Sequence, residues 1–229
     1  SFLELSDTDF QYKLTTSAKY KLRSHTTHHT IHVPELTPNL LNTSKITTLY
    51  LGNSMLERLK TTGKNTELAK LPSAWNAGCG GDKNENVVWR LAEGLYEFLR
   101  KNCDGKGEGH GIKAVVLVSG TNNLRPCKPF RAQDITSYRL LLEACLRLAP
   151  KGCIVACDMF RRKDVRDVIV EECNGILKRV VEEVNKDLRD AGEEERVKWV
   201  EARETIGTDM LDDHVHLNEE GYAAWDRVL

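Results

Sequence analysis

The sequence has 229 residues, of which 40% are hydrophobic, so it is long enough to bury one substantial core. Its 33 basic and 34 acidic residues give a formal net charge of -1, which excludes the strongly basic surface typical of nucleic-acid-binding proteins. No apolar run approaches the roughly 20 residues that a membrane-spanning helix needs. The composition therefore predicts a globular protein with a mixed, charged surface.

The seven cysteines make an odd count and lack the paired spacing of a metal site. Several of them lie inside apolar runs, where a thiol behaves as a small hydrophobic group. We expect them to be reduced and mostly buried, which favours an intracellular, cytoplasmic location. Because the sequence opens at Ser1 without a Met, it is also compatible with the removal of a signal peptide.

Residues 1–44 show neither helical nor strand periodicity, and we expect them to form an N-terminal arm packed on a single domain that spans residues 45–229. Four histidines between His25 and His32 are spaced at i, i+3, i+4 and i+7, which on a helix would be a metal-ligand pattern. The threonines among them disfavour that helix. We therefore expect this segment to be extended and to bind no metal.

From Lys45 onward, short strand-like runs alternate with amphipathic helical segments. The predicted strands are Ile46–Leu51, Ser73–Ala77, Ala114–Ser119, Cys153–Cys157 and Val197–Val200, and the predicted helices are Asn86–Leu99, Ile135–Leu148, Val165–Leu188 and a closing helix that begins at Asn218. The glycine-rich segment Asp104–Gly111 is expected to be a surface turn. The alternation predicts a parallel sheet with helices on both faces.

The first predicted strand ends in Gly52-Asn53-Ser54 and passes into an amphipathic helical run. A hydroxyl at this junction lies at the carboxyl end of a strand, where open α/β sheets bind their ligands. It also lies at a helix N-terminus, which favours negative charge. Ser54 is therefore the candidate nucleophile, and the alternative is that Ser54 only caps the helix.

Three later segments carry the other groups that ester hydrolysis by a serine requires. They are the glycine-rich loop Asn76–Asp82, the block Gly120-Thr121-Asn122-Asn123, and Asp212–Leu217. Loops that follow parallel strands gather at one edge of the sheet, so a hydroxyl, a base with a carboxylate, and N–H donors would meet there. Asp213 precedes His216 by three residues and can reach its ring within a turn. His214 competes as the base, but Leu211 stands three residues before it and has no carboxylate.

The blocks Gly52-Asn53-Ser54, Gly81-Asp82, Gly120-Thr121-Asn122-Asn123 and Asp213-His214-Val215-His216 resemble the motif set of the SGNH (GDSL-like) hydrolase family. The run from Gly80 to Leu91 is most similar to the intracellular platelet-activating-factor acetylhydrolase catalytic subunits within that family. The resemblance spans about Leu49 to Tyr222. It implies an α/β, three-layer, flavodoxin-like SGNH hydrolase fold with a five-stranded parallel sheet.

The resemblance implies Ser54 as the nucleophile, His216 as the general base and Asp213 as the residue that orients His216. It also implies an oxyanion hole made by the backbone N–H groups of Ser54 and Gly81 and by the side-chain amide of Asn122. No cofactor or metal is implied. These roles predict a serine ester hydrolase that cleaves a short-acyl, acetyl-type ester through an acyl-enzyme intermediate.

The sequence departs from the family at Asn53, where the first block normally carries Asp. Asn keeps the size and hydrogen-bonding capacity of Asp but loses its charge, so a role in supporting the loop would survive while an electrostatic role would not. Two alternatives stay open: a non-catalytic binding or subunit protein with this fold, and a carbohydrate O-deacetylase or thioesterase that uses the same groups. The expected partners are a small ester substrate and, by the resemblance, a second copy or a regulatory subunit.

Overall fold

In the computed structural model, residues 2–36, 46–102 and 111–229 are described. Cys103, most of the predicted turn Asp104–Gly111, and the end of the predicted N-terminal arm lie outside the described residues. The division into an arm and one domain from residue 45 remains our proposal.

The described residues contain a five-stranded parallel sheet, as expected. Its strands are β1 (Thr48–Gly52), β2 (Ala74–Gly78), β3 (Ala114–Val118), β4 (Cys153–Cys157) and β5 (Val197–Val200), arranged in the order β2-β1-β3-β4-β5. The predicted bounds of β4 and β5 match, and those of the other three strands differ by one or two residues. The register pairs Gly52 with both Gly78 and Val118, so β1, β2 and β3 end at the same level.

Helices connect these strands and cover both faces of the sheet. They are α1 (Asp7–Ser17), α2 (Leu22–Thr27), α3 (Val33–Leu36), α4 (Ser54–Glu57), α5 (Glu67–Lys70), α6 (Asn84–Arg90), α7 (Tyr96–Asn102), α8 (Ala132–Leu148), α9 (Asp167–Asp190) and α10 (Glu219–Asp226). Short π-helical turns occur at His28–His32 and Leu91–Leu95, and 3₁₀ turns occur at Arg58–Lys60, Thr121–Asn123 and Thr208–Met210. Among the described residues, no helix is long and apolar enough to cross a membrane.

The prediction of one continuous helix over Asn86–Leu99 is wrong. The chain leaves helical geometry at Glu93 and Gly94, and Gly94 has a φ of 108° that favours glycine. The apolar face continues across this break, because Leu91 and Leu95 are both buried. Periodicity alone therefore did not reveal that α6 and α7 are separate helices.

Alternate residues of the strands point into two separate apolar clusters. Leu49 and Leu51 of β1 pack in the larger cluster, whereas Tyr50 packs in the smaller one together with Trp225 of α10. This alternation follows from the period of two along a strand. A parallel sheet covered on both faces leaves its carboxyl edge as the place where loops can form a site.

The expectation that His25–His32 is extended is also wrong, because the segment continues from α2 into a π-helical turn. His28 and His32 are each 1% exposed, and their rings contact Trp89 and Trp75, respectively. This packing outweighs the weak helix propensity of threonine. Burial lowers the pKa of His28 to about 4 and that of His32 to about 2, so both rings are neutral at pH 7. Among the described residues, no group of three or more His, Cys, Asp or Glu side chains is placed to hold a metal ion.

Candidate active site

Ser54 is the first residue of α4, directly after the sharp exit from β1. Gly52 fits there because a Cβ at this position would lie 2.0 Å from the carbonyl oxygen of Val118. Asn53 then caps α4, since its Oδ1 accepts a hydrogen bond of 3.0 Å from the N–H of Met55. The turn thereby holds the Ser54 hydroxyl, in a residue that is 6% exposed, at the carboxyl edge of the sheet.

His216 lies in the loop before α10, and this loop is closed by its own backbone. The N–H of Asp212 donates to the carbonyl of His216 over 2.8 Å, and Leu211 and Leu217 form an antiparallel bridge. The closed loop fixes the side chains that it carries. His216 is therefore held in position by the hydrogen bonds that close its loop, although the loop has no regular secondary structure.

The structure brings Ser54, His216 and Asp213 together in one hydrogen-bonded line. The distance from Nε2 of His216 to Oγ of Ser54 is 2.9 Å, and that from Nδ1 of His216 to Oδ2 of Asp213 is 2.7 Å. A carboxylate on one ring nitrogen favours the tautomer that leaves the other nitrogen free to accept a proton. In this arrangement His216 can take the proton of the Ser54 hydroxyl.

The Asp213 carboxylate is held in its ionised form. Burial would raise its pKa, but the hydrogen bonds from the His216 ring and from the backbone N–H groups of His216 and Val215 lower the pKa well below its usual range. Arg58 adds a positive charge 3.7 Å from the same oxygen that binds the ring. Asp213 is thus negatively charged at neutral pH.

His214, the competing base, faces a different part of the loop. Its side chain is half-exposed, and its Nε2 lies 3.8 Å from the carboxylate of Asp164. Its backbone carbonyl accepts a hydrogen bond of 2.9 Å from the N–H of Lys163. In the structure it is therefore His216 that contacts Ser54.

The three predicted oxyanion donors lie on the segments that follow β1, β2 and β3. Ser54 is in the first turn of α4, where backbone N–H groups have no partner within the helix. Gly81 has a φ of 72°, and the carbonyl of the next residue, Asp82, accepts a 2.9 Å hydrogen bond from Nδ2 of Asn122. Asn122 is therefore joined to the loop that carries Gly81.

The neighbouring amide of Asn123 has a different environment. Its Nδ2 donates to the carboxylates of Glu85 and Asp134, each over 2.9 Å, and the residue is buried. The Asn123 amide thus bonds to buried carboxylates and stabilises the fold, whereas the Asn122 amide bonds to the glycine-rich loop that carries Gly81.

A buried network that the sequence did not predict supports these loops. Arg90 is fully buried, and its guanidinium donates to the carbonyls of Gly52 and Ala77 and to the carboxylate of Asp82. These bonds, 2.8 to 3.0 Å long, join the ends of β1 and β2 to the glycine-rich loop. The sequence could have indicated this network, because Arg90 follows the apolar residues of α6, and a charged side chain that is buried needs hydrogen-bond partners.

The loop after β4 also lies at the carboxyl edge of the sheet and is bonded to the neighbouring loops. Arg162 donates to the carbonyl of Thr121 over 2.9 Å and pairs with Asp164, so it is bonded to the loop that carries Asn122. Arg161 pairs with Glu204. These arginines therefore tie loops together around the candidate site.

Residues 51–224 match the GDSL-like Lipase/Acylhydrolase family. The chain is 24% identical over 182 residues to platelet-activating factor acetylhydrolase IB subunit alpha1 of Pongo abelii, covering 79% of this chain and 72% of that protein. The fold is similar to that of a GDSL-like lipase from Bacteroides thetaiotaomicron, with a TM-score of 0.50, 13% identity, and 85% and 93% of the two chains covered. It is also similar to that of an acetyl esterase crystallised with an acetate ion, with a TM-score of 0.50, 17% identity, and 80% and 93% covered.

Proposed function

Since the chain belongs to the GDSL-like lipase/acylhydrolase family, we propose that it is a serine ester hydrolase that cleaves short-acyl esters through an acyl-enzyme intermediate. The observation that carries this proposal is the hydrogen-bonded line from Ser54 through His216 to Asp213. A serine hydroxyl at this distance from an imidazole, with a carboxylate on the far ring nitrogen, is the arrangement by which serine hydrolases activate their nucleophile.

In the first half of the proposed reaction, Oγ of Ser54 attacks the carbonyl carbon of the ester while Nε2 of His216 takes the hydroxyl proton. The negative charge that develops on the carbonyl oxygen is stabilised by the N–H groups of Ser54 and Gly81 and by the amide of Asn122. Asp213 stabilises the imidazolium that forms. The tetrahedral intermediate then collapses, and the leaving alcohol takes the proton from His216.

In the second half, a water molecule gives a proton to His216 and attacks the acyl group on Ser54. The acid is released, and the proton on His216 returns to Oγ of Ser54. Side chains of this chain supply the nucleophile and the base of both halves, and backbone and side-chain N–H groups supply the oxyanion donors, so we propose that the reaction uses no cofactor.

The Asn at position 53 does not argue against this chemistry. The contact that it makes, from its Oδ1 to the N–H of Met55, requires an oxygen acceptor and no charge. The amide oxygen therefore caps the Ser54 turn as a carboxylate oxygen would, while Nδ2 of Asn53 is buried without a hydrogen-bond partner among the described residues. This contact is compatible with the proposed active hydrolase.

The acetyl-type acyl group of the proposed substrate is supported by the names of similar proteins, an acetylhydrolase subunit and an acetyl esterase. The acetylhydrolase relative is named as a subunit. We accordingly propose that this chain acts on a small ester and associates with a second copy or a regulatory subunit.

Hydrolysis of p-nitrophenyl esters with two, four and eight carbons in the acyl group tests the proposal. We expect kcat/KM to be highest for the acetate and to fall as the acyl chain lengthens. Ser54→Ala should lower turnover by at least about 10⁴-fold, because the nucleophile is lost. Equal turnover of all three esters would contradict the short-acyl preference, and retained turnover in Ser54→Ala would contradict the nucleophile.

A further inference from the structure

The N-terminal arm reaches the same glycine-rich loop that carries Gly81. Nζ of Lys21 donates to the carbonyl of Gly81, and Oγ of Ser24 donates to Oδ1 of Asp82 over 2.6 Å. Both arm residues precede residues 51–224, the part of the chain that matches the family. These contacts therefore come from outside the part of the chain that matches the family.

Asp82 is the residue through which the arm can act on the site. Its carboxylate is fully buried, with one oxygen bonded to Ser24 and the other to Arg90. A buried carboxylate needs partners on both oxygens, because the loss of either partner leaves an acceptor unsatisfied away from water. The hydroxyl of Ser24 thus stabilises the position that Asp82 takes.

The position of Asp82 in turn sets two of the three proposed oxyanion donors. Gly81 is its covalent neighbour, and Lys21 donates to the carbonyl of the peptide that joins Gly81 to Asp82. Asn122 donates to the Asp82 carbonyl. Oxyanion donors act only when they are pre-organised, and a displacement of about 1 Å can cost about 10²-fold in rate.

We propose that Lys21 and Ser24 are positioning residues, which hold the Gly81–Asp82 loop of the proposed esterase in the geometry that stabilises the oxyanion. On this basis the arm helps to position the active-site loop and also packs against the core. The expected effect on kcat rests on the proposed function. The expected effect on loop structure, that the arm holds the Gly81–Asp82 loop in place, is independent of ester turnover.

Three single variants of the whole chain test this inference. Ser24→Ala removes the hydroxyl from Asp82, and Lys21→Met removes the ammonium from Gly81 at a partly exposed position that leaves the core intact. Gln11→Ala is the matched control, because Gln11 also joins the arm to the body of the protein, through a 2.9 Å bond to the carbonyl of Ala92. Each variant is measured for kcat and KM on p-nitrophenyl acetate and for backbone hydrogen exchange.

We expect Ser24→Ala to lower kcat by about tenfold or more and Lys21→Met by a smaller factor, with KM changed by less than about twofold in both. Backbone amides between residues 79 and 83 should exchange faster in both variants, and Gln11→Ala should leave kcat and these amides unchanged. Should Ser24→Ala fail to fold, Lys21→Met decides the question by the same two measurements.

If both arm variants match Gln11→Ala in kcat and in hydrogen exchange, the inference is overturned while the proposed function stands. If the wild-type protein hydrolyses no ester, the proposed function fails, and hydrogen exchange still decides whether the arm holds the loop. Faster exchange between residues 79 and 83 then supports the positioning role, and unchanged exchange rejects it.

Discussion

Asp213 and Asp82 are both carboxylates at the carboxyl edge of the sheet, yet they are held in different ways. The Asp213 side chain is 38% exposed, and its hydrogen-bond partners are residues of its own loop, at most three positions away. Asp82 is fully buried, and its carboxylate accepts hydrogen bonds from Arg90, eight positions away, and from Ser24, 58 positions away in the arm.

We infer from this difference that Asp213 acts in the reaction, whereas Asp82 stabilises the loop structure around the site. Water can replace part of what Asp213 loses when a partner is removed, so we expect its substitution to affect the reaction and leave the fold intact. Water cannot reach Asp82, so loss of a partner there leaves a buried polar group unsatisfied. Changes around Asp82 should therefore alter loop geometry and, with it, rate.

The largest effect on the Asp213 side is expected from Asp213→Asn. The amide cannot hold the tautomer of His216 that leaves Nε2 free, so kcat should fall by about 10³- to 10⁴-fold. The melting temperature should change little. Asp212→Asn is the matched control, because Asp212 is the adjacent carboxylate, its side chain is 61% exposed, and its Oδ2 lies 3.5 Å from Arg58. Equal losses in the two variants, measured by steady-state kinetics, would contradict the role of Asp213.

A smaller effect is expected from Asn122→Ala. Loss of one oxyanion donor should lower kcat by about two orders of magnitude with little change in stability. Asn123→Ala provides the contrast, because it leaves Glu85 and Asp134 without their buried amide partner and should lower the free energy of unfolding by about 1–3 kcal/mol. Kinetics and urea unfolding on both variants separate the two roles, and an unchanged kcat in folded Asn122→Ala would remove that residue from the mechanism.

The smallest effect concerns Asp158, a third carboxylate, which follows β4. Burial raises its pKa to about 6, although the backbone N–H groups of Ala202 and Arg203 oppose the shift. A raised pKa in the folded state means that stability is highest below about pH 4 and is lost as pH rises through about 6. The loss should be about 3 kcal/mol, since each unit of pKa difference corresponds to about 1.4 kcal/mol.

Asp158→Asn should remove this component of the pH dependence. The difference in free energy of unfolding between wild type and variant, measured in urea at pH 4, 5, 6 and 7, should change in favour of the variant as pH rises. A constant difference across this range would show that Asp158 ionises normally in the folded protein.

Most of the correct predictions from the sequence came from patterns between residues that are close together in the chain. Strand positions followed from apolar runs, and the Asp213–His216 contact followed from a spacing of three residues within one turn. The parallel sheet then brought Ser54 to His216 across 162 positions, because every strand ends at the same edge.

The features that were missed depend on packing between distant segments. Helix formation at His25–His32 depends on burial against Trp75 and Trp89, which outweighs the propensity of threonine. The bond between Ser24 and Asp82 has no sequence spacing that would indicate it. Arg90 could have been suspected from its place among apolar residues, but its three partners could not.

We propose that Ser54 is an activated nucleophile, and the mass of the intact protein after exposure to a fluorophosphonate shows whether it is. We predict one covalent adduct on the wild-type protein, none on Ser54→Ala, and greatly slowed labelling of Asp213→Asn. A folded wild-type protein that forms no adduct, or an adduct that persists in Ser54→Ala, would contradict the claim.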